Sequence, residues 1–305
     1  MIIPLREENM DNKIVYIILV NYKSLVHTVE CIDSILNSSY KNVRIIVVDN
    51  NSSDGCKAKI DKRYQDVIVI ESEKNVGFSA ANNIGIKMAL KLNAAYVLLL
   101  NNDTILDNNC ISELIRMGNL NKKSVITGKI LNYYDKKLIW YGGADLNFFK
   151  GDADIYGFGE NDTGQCDETR KCTFASGCCM LIPTEIASKY FLPEQYFLYY
   201  EDVDFCTNLF KNHVDIIYDP AAVIYHKESI STDKNSHLYT YYFSRNRFMY
   251  ISNNINGMRK LFAYMYSMLW VLKKIIQKKF DRKYALCGIH DCKKGYTKDE
   301  NTCHL

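Results

Sequence analysis

The chain has 305 residues, 48% of them hydrophobic, and 38 basic against 35 acidic side chains leave a formal charge of +3. That length supports one large domain or two small ones with an ample core, and so even a charge balance argues against a nucleic-acid partner. Eleven cysteines, an odd number, do not make a disulfide framework, and residues 1–13 lack the apolar stretch of about 7–15 residues of a secretory signal, so a reducing, cytoplasmic location is expected.

Residues 13–20 read as a strand buried on both faces that ends at Asn21-Tyr22. A helix is predicted from Ser24, with Val26, Val29, Ile32, Ile35 and Leu36 spaced for one apolar face. Residues 43–48 form a second buried strand ending at Asp49, and Asn50-Asn51-Ser52-Ser53-Asp54-Gly55 is turn chemistry leading into a helix. A shorter strand at 67–70 and the break Asn75-Val76-Gly77 precede a helix over 79–92. Residues 96–100 make a fourth buried strand, which stops abruptly at Asn101-Asn102-Asp103-Thr104. Such alternation predicts βαβ units and a parallel sheet. The polar clusters ending three of the strands then share the carboxyl edge, where ligands of open α/β sheets sit, and a nucleotide site is expected there. Asp103 has two readings: a ligand for a hard cation held against phosphates, or, with Thr104, the N-cap of a following helix.

From about residue 125 the alternation loosens. Residues 138–149 contain Trp140-Tyr141-Gly142-Gly143, and 151–167, rich in Gly and Asp, read as a flexible surface loop. Residues 173–182 return to small apolar side chains, with Cys178 and Cys179 read as buried free thiols. Phe197-Leu198-Tyr199-Tyr200 runs into Glu201-Asp202-Val203-Asp204 and a helix to about Lys211; short strands follow at 216–218 and 222–225, the second ending at His226. The acids at 201–204 either complement a helix dipole or, crowded beside aromatic side chains, include one whose raised pKa makes it a general base. His226 taken alone suits a structural role as well as metal ligation.

In order and spacing, Asn21-Tyr22, Asp49 with the Asn-Asn-Ser-Ser-Asp-Gly run, Asn75-x-Gly77, Asn101-x-Asp103, Glu201-Asp202 and His226 resemble the family 2 glycosyltransferases, and within them the bacterial rhamnosyltransferase-like branch. The resemblance covers about residues 14–251, through segments 48–55, 75–85, 100–103, 176–182, 201–204 and 220–226. It implies a GT-A α/β fold over 1–230, with a nucleotide-sugar half at about 13–125 and an acceptor half at 126–230, then a helical, basic extension over 231–305. It also implies inverting transfer from a nucleotide-diphospho-sugar (dTDP-rhamnose-like or a UDP-sugar) to a glycan, lipid-linked or free, in surface polysaccharide synthesis. By the same resemblance Asn21, Tyr22 and Asp49 hold the nucleotide, and Asn51, Asn75, Gly77, Asn82, Asn83, Asn101 and Asn102 complete the donor site. Asp103 and His226 hold Mn²⁺ or Mg²⁺, and Asp202 is the base. Trp140, Gly177, Glu201, Arg245 and Arg247 face the acceptor, with the arginines placed to meet a lipid-linked phosphate. Asn101 stands where the family's Asp-x-Asp element carries its first acid. An amide brings oxygen without charge, so metal affinity should lean on the bound diphosphate. The rival from another class is a catalytically inactive nucleotide-sugar-binding or scaffold protein.

Residues 258–280 place Met258, Leu261, Phe262, Met265, Leu269, Leu272 and Ile276 at helical spacing between basic flanks, and the uncharged middle, 261–272, is twelve residues, too short to span a bilayer. Two partners fit. One is an anionic membrane, the helix and Trp270 lying in the interface on the inner face of the cell membrane. The other is protein, either the catalytic domain or a second copy in a homodimer. Cys287, His290, Cys292, Cys303 and His304 are spaced C-x₂-H-x-C-x₁₀-C-H, which matches no ordinary structural zinc site.

Overall fold

A computed structural model describes residues 13–227 and 237–295; Cys303 and His304 of the zinc reading lie outside them. The first half comprises β1 (Val15–Asn21), α1 (Leu25–Leu36), β2 (Val43–Asp49), α2 (Cys56–Arg63), β3 (Val67–Glu71), α3 (Phe78–Lys91) and β4 (Tyr96–Leu100). Next come β5 (Thr104–Leu106), α4 (Cys110–Leu120), β6 (Val125–Asn132), β7 (Ile139–Tyr141), β8 (Ala144–Asn147), β9 (Asp152–Ile155) and β10 (Arg170–Cys172). The chain continues through β11 (Cys179–Pro183), α5 (Thr184–Ala187), α6 (Glu201–Lys211), β12 (Ile216–His226), α7 (His237–Asn254), α8 (Gly257–Ile276) and α9 (Arg282–Lys294).

One mixed sheet runs β10-β12-β6-β11-β4-β1-β2-β3, with β5 added to β12 and β7 to β6, while β8 and β9 form a separate hairpin. The β1–β2, β2–β3 and β1–β4 pairs are parallel, so the polar ends of β1, β2 and β4 leave the sheet along one edge. Apolar residues fill both faces of these strands because both faces are covered; Ile17, Ile18, Val47, Val97 and Leu99 are fully buried. β11 runs antiparallel to both β4 and β6, and β12 returns parallel to β6. The sheet and one apolar cluster reaching from Val15 to Ala263 run through both expected halves of the domain.

Several local expectations change. Asp103-Thr104 caps no helix: Thr104 begins β5, which pairs antiparallel with β12, and α4 starts only at Cys110. The buried stripe of α1 is Leu25, Thr28, Cys31, Ile32 and Ile35, while Val26 and Leu36 face solvent. Thr28 turns inward because its hydroxyl donates to Asn21 Oδ1 at 2.9 Å. The two short strands expected at 216–225 are one strand, with a register shift between Asp219 and Val223. Pro220 lies in that irregularity, where the ladder asks for no N–H. Residues 151–167 are ordered and not a loose loop. β9 pairs with β8, and the buried Lys129 of β6 holds Asp162 at 2.8 Å and Asp167.

The C-terminal helices are riveted to this body through Arg247, which is buried and does not meet a phosphate as the resemblance implied. Its guanidinium donates to Asp152 Oδ2 at 2.6 Å, Lys150 O at 2.7 Å, Ser267 Oγ at 2.8 Å and Tyr200 Oη at 2.9 Å, and it lies 4.8 Å from the Trp270 ring centroid. The arginine thus ties the β8–β9 hairpin, α6 and α8 to α7. Arg245 is also buried and donates to Asn246 Oδ1 at 2.8 Å. Among the described residues nine cysteines are free thiols, eight of them buried, Cys178 and Cys179 included. Cys287 is disulfide-bonded, which removes its thiolate from any zinc ligand set. Among the described residues no helix is long and apolar enough to cross a membrane.

Breaking a buried pair from one side costs about 3–5 kcal/mol. Arg247→Ala should therefore lower the urea midpoint by an amount equivalent to about 3 kcal/mol, and Asp152→Asn should reproduce part of that loss.

Candidate active site

The carboxyl edge of the sheet opens into a cavity of about 670 Å³. Beneath its floor, side-chain amides and hydroxyls stitch the strand ends together. Asn102 Nδ2 donates to Thr28 Oγ1 at 2.8 Å, and Thr28 donates on to Asn21. Asn21 Nδ2 in turn reaches Ser52 Oγ at 2.9 Å, Asp49 Oδ1 at 3.2 Å and Asp54 Oδ2 at 3.2 Å. Asn21 braces the floor of the cavity from beneath, and Asp49 accepts from Asn21 Nδ2 and Ser52 N through Oδ1. The Asp49, Asp54 and Cys56 ligand atoms lie within 4.8 Å of one another, but the Asn21 amide already donates to both acids.

Tyr22, Asn75 and Gly77 do line the cavity. Asn50, which sequence reasoning passed over as turn chemistry, organises them: its Nδ2 donates to Asn75 Oδ1 at 2.9 Å and its Oδ1 accepts from Val76 N at 2.9 Å. Gly77 is required by two constraints. Its φ is +87°, and a Cβ there would stand 2.5 Å from Phe197 O. Asn51 is exposed and lines nothing. Asn82 donates to Phe78 O, and Asn83 to Leu192 O at 2.8 Å and Glu194 Oε1 at 2.9 Å. Both are struts behind the wall, not sugar contacts.

Asn101, Asn102, Asp103 and His226 make the polar end. The β5–β12 pairing sets Thr104 opposite His226, so His226 Nε2 lies 3.2 Å from Asp103 Oδ1. The Trp140 ring meets the imidazole edge-on at 4.6 Å. Burial works to raise the Asp103 carboxyl, but the hydrogen bond and charge of His226 outweigh it and hold the acid below its usual range. Asn101 Oδ1 and His226 Nδ1 are buried without a hydrogen-bond partner. A carboxylate with an unsatisfied amide oxygen and an imidazole is a donor set that suits a hard divalent cation.

Opposite stand Glu201 and Asp202, opening α6. Asp202 Oδ2 accepts from Gly177 N at 3.2 Å and Oδ1 from its neighbour Val203 N at 2.9 Å. Gly177 sits there because Asn101 N donates to Cys178 O at 3.0 Å, clamping the 176–178 segment to the end of β4. Burial pushes the Asp202 carboxyl up to about 6, against the pull of the Gly177 and Val203 amides. Burial and then the Asp202 charge push Glu201 well above its ordinary value, and its Oε2 has no hydrogen-bond partner. The third acid of the run, Asp204, is structural and accepts from Tyr196 Oη at 2.7 Å.

The remaining wall is aromatic and includes Phe197, Tyr199, Tyr239, Tyr242 and Phe243. The sequence signal for the last three is their helical spacing in the Tyr-rich run, which the two arginines obscured; Arg245 and Arg247 do not line the cavity. Tyr199 and Tyr200, just before the acids, both adopt left-handed backbone, with φ of 69° and 72°, at a cost of about 1–3 kcal/mol each. The buried Asn246 holds this turn by donating to Leu198 O at 2.8 Å and Tyr199 O at 3.0 Å. The described lining residues include three carboxylates and one histidine, and neither lysine nor arginine.

Residues 16–191 match the family model described as Glycosyl transferase family 2. The low-salt glycan biosynthesis hexosyltransferase Agl10 of Haloferax volcanii is 28% identical over 242 residues, 78% of this chain and 75% of that protein. Staphylococcus aureus TarS 1–349 superposes with a TM-score of 0.55 at 13% identity, covering 92% of this chain and 80% of TarS. The same protein in complex with UDP gives 0.54 at 15% identity, over 90% and 74% of the two chains. These likenesses establish the GT-A fold.

Two outcomes test the acid pair and its support. The folded state holds the Asp202 proton more tightly than the unfolded chain, so stability falls as pH rises from the usual 3.8 through about 6. Asp202→Asn should then stabilise the protein by about 3 kcal/mol at pH 8 and by much less at pH 4, read from melting curves at the two pH values. Asn246→Ala should lower kcat about tenfold or more while changing donor KM little, since the turn before Glu201 and Asp202 would lose its clamp and the opposite side of the cavity would not.

Proposed function

The chain belongs to the family 2 glycosyltransferases, and from that premise we propose that it moves a sugar, with inversion, from a nucleoside-diphosphate sugar to a glycan acceptor. The observation that carries this reading is the charge of the cavity: three acids, a histidine and no lysine or arginine among the described lining residues. Like charges in a low-dielectric cavity repel strongly, so a diphosphate beside the ionised Asp103 would be helped by a divalent cation. Asp103, His226 and Asn101 would hold Mn²⁺ or Mg²⁺, which would supply charge neutralisation for the departing diphosphate.

The remaining steps belong to the chain's own residues. Tyr22, Asn75 and Gly77 bound the nucleotide end, and Asn101 and Asn102 offer amides to the sugar and phosphates. Asp202, fixed by two backbone N–H groups, takes the proton from an acceptor hydroxyl. The freed oxygen forms its bond to the anomeric carbon as the bond from that carbon to the phosphate oxygen breaks, and the nucleoside diphosphate leaves with the electron pair. Glu201, pushed toward its neutral form by burial and the Asp202 charge, can donate a hydrogen bond to an acceptor hydroxyl. Trp140, Gly177 and the aromatic wall, in place of the arginines, receive an acceptor that presents sugar faces and apolar surface. UDP-sugars and dTDP-rhamnose-like donors both suit this site, and the UDP complex of TarS and the name of Agl10 support a role in glycan assembly.

A thermal-shift panel of nucleotide sugars with and without Mn²⁺ identifies the donor, and the largest shift should require both components. Asp202→Asn should abolish transfer while nucleotide binding stays within about threefold, a change of under ~1 kcal/mol; normal turnover by that variant would remove the base assignment. The wild-type rate should rise with pH through about 6, where Asp202 ionises. Calorimetry without the sugar nucleotide should find only weak Mn²⁺ binding.

A further inference from the structure

We propose that α8 is a docking surface for an anionic lipid bilayer, placing the aromatic half of the cavity next to the membrane; the functional part of this inference rests on the transferase reading above. Met258, Leu261, Met265, Leu269, Leu272 and Ile276 follow one another at intervals of three or four residues and are each 53–71% exposed. The opposite face buries the small Ala263 and Ser267 with Val271 against the protein. The stripe is therefore spare apolar surface, with the core-facing side already used. It also extends beyond one helix. Phe149, from the turn of the β8–β9 hairpin, is 54% exposed and packs on Phe262 at 6.1 Å. A contiguous apolar face of this extent is rare on the free surface of a monomer.

Charge decides which occupant fits. Residues 257–284 carry eight cations, from Arg259 and Lys260 to Arg282 and Lys283, and a single acid, Asp281. Asp281 is occupied capping α9, where it accepts from Lys283 N and Tyr284 N. A second copy meeting this face in a two-fold dimer would set these cations against themselves. An anionic bilayer instead neutralises them while its acyl boundary takes the apolar stripe. Because no described helix can cross a membrane, α8 lies along the interface.

The placement also bears on the acceptor. Trp270 does not anchor in lipid as expected from the sequence. It turns inward and stacks on Phe243 at 5.4 Å, and Phe243 lines the cavity. The membrane helix is thus the direct backing of the aromatic wall, and an acceptor with a lipid tail can present its glycan there without leaving the bilayer. A lipid-linked diphosphate then stays at the headgroup level beside the basic flanks.

The test is flotation of the full chain with phosphatidylcholine vesicles, with and without phosphatidylglycerol, at low salt, alongside hydrolysis of the donor sugar nucleotide in solution. The wild type should float only with the anionic vesicles. Leu269→Glu, at an exposed position, should cut the bound fraction about tenfold or more, and Lys273→Glu combined with Lys278→Glu about tenfold as well. Both variants should keep wild-type circular dichroism and donor hydrolysis. Failure of the wild type to float with anionic vesicles, or equal flotation of Leu269→Glu, overturns the surface. So does a wild-type dimer in sedimentation that Leu269→Glu dissociates without any vesicle binding. Normal flotation with no donor turnover supports the surface and counts against the transferase reading alone.

Discussion

The site depends on one reversal of direction in the sheet. β11 runs antiparallel between β4 and β6, so its beginning, and not its end, meets the carboxyl end of β4. Had it run parallel, the 176–178 segment would lie at the far edge. As it is, Asn101 N donates to Cys178 O, Gly177 falls beside it, and Gly177 N holds Asp202. Two hydrogen bonds therefore carry position from the polar end at Asn101–Asp103 to the Asp202 carboxylate. The β5–β12 pairing performs the same service on the other side by bringing His226 to Asp103. Both devices lie after the regular βαβ alternation has ended.

Charge in the cavity is arranged by separation. The acid that faces His226 is held in its ionised form, while the two at the start of α6 are pushed toward neutrality by burial and by each other. Carboxylates in one cavity with opposite pKa displacements assume different tasks. The ionised Asp103 can attract a cation, and Asp202, near neutrality in pH, can exchange a proton. The upward displacement of Glu201 lowers its share of negative charge in the cavity.

The parallel strands and their shared edge were legible because an apolar run on both faces has few alternatives. Tyr22, Asn75, Gly77 and Asn101–Asp103, singled out by their place in the family's motifs, line the cavity. Asn21, Asp49, Asn82 and Asn83 are polar residues in the expected segments, and each makes hydrogen bonds that also hold the fold together. One-dimensional spacing cannot separate a polar side chain that faces a ligand from one that satisfies a buried backbone group. Asn50 shows the converse, since it sat in a run that explained itself as a turn. Arg245 and Arg247 drew attention as cations, whereas the residues of that helix that reach the cavity are Tyr239, Tyr242 and Phe243.

Helix α7 is accordingly more than a wall of the cavity. Its arginines are internal ties, and neighbouring residues serve complementary ends. Asn246 grips the carbonyls of the strained Leu198–Tyr199 turn, and Arg247 grips the hydroxyl of Tyr200 and the carboxylate of Asp152. A turn with two successive left-handed tyrosines would relax without such grips, and the acids immediately after it would lose their aim. Because Arg247 also reaches Ser267 and the Trp270 ring on α8, the helix with the exposed apolar stripe and the turn that precedes Glu201 and Asp202 share one buried side chain.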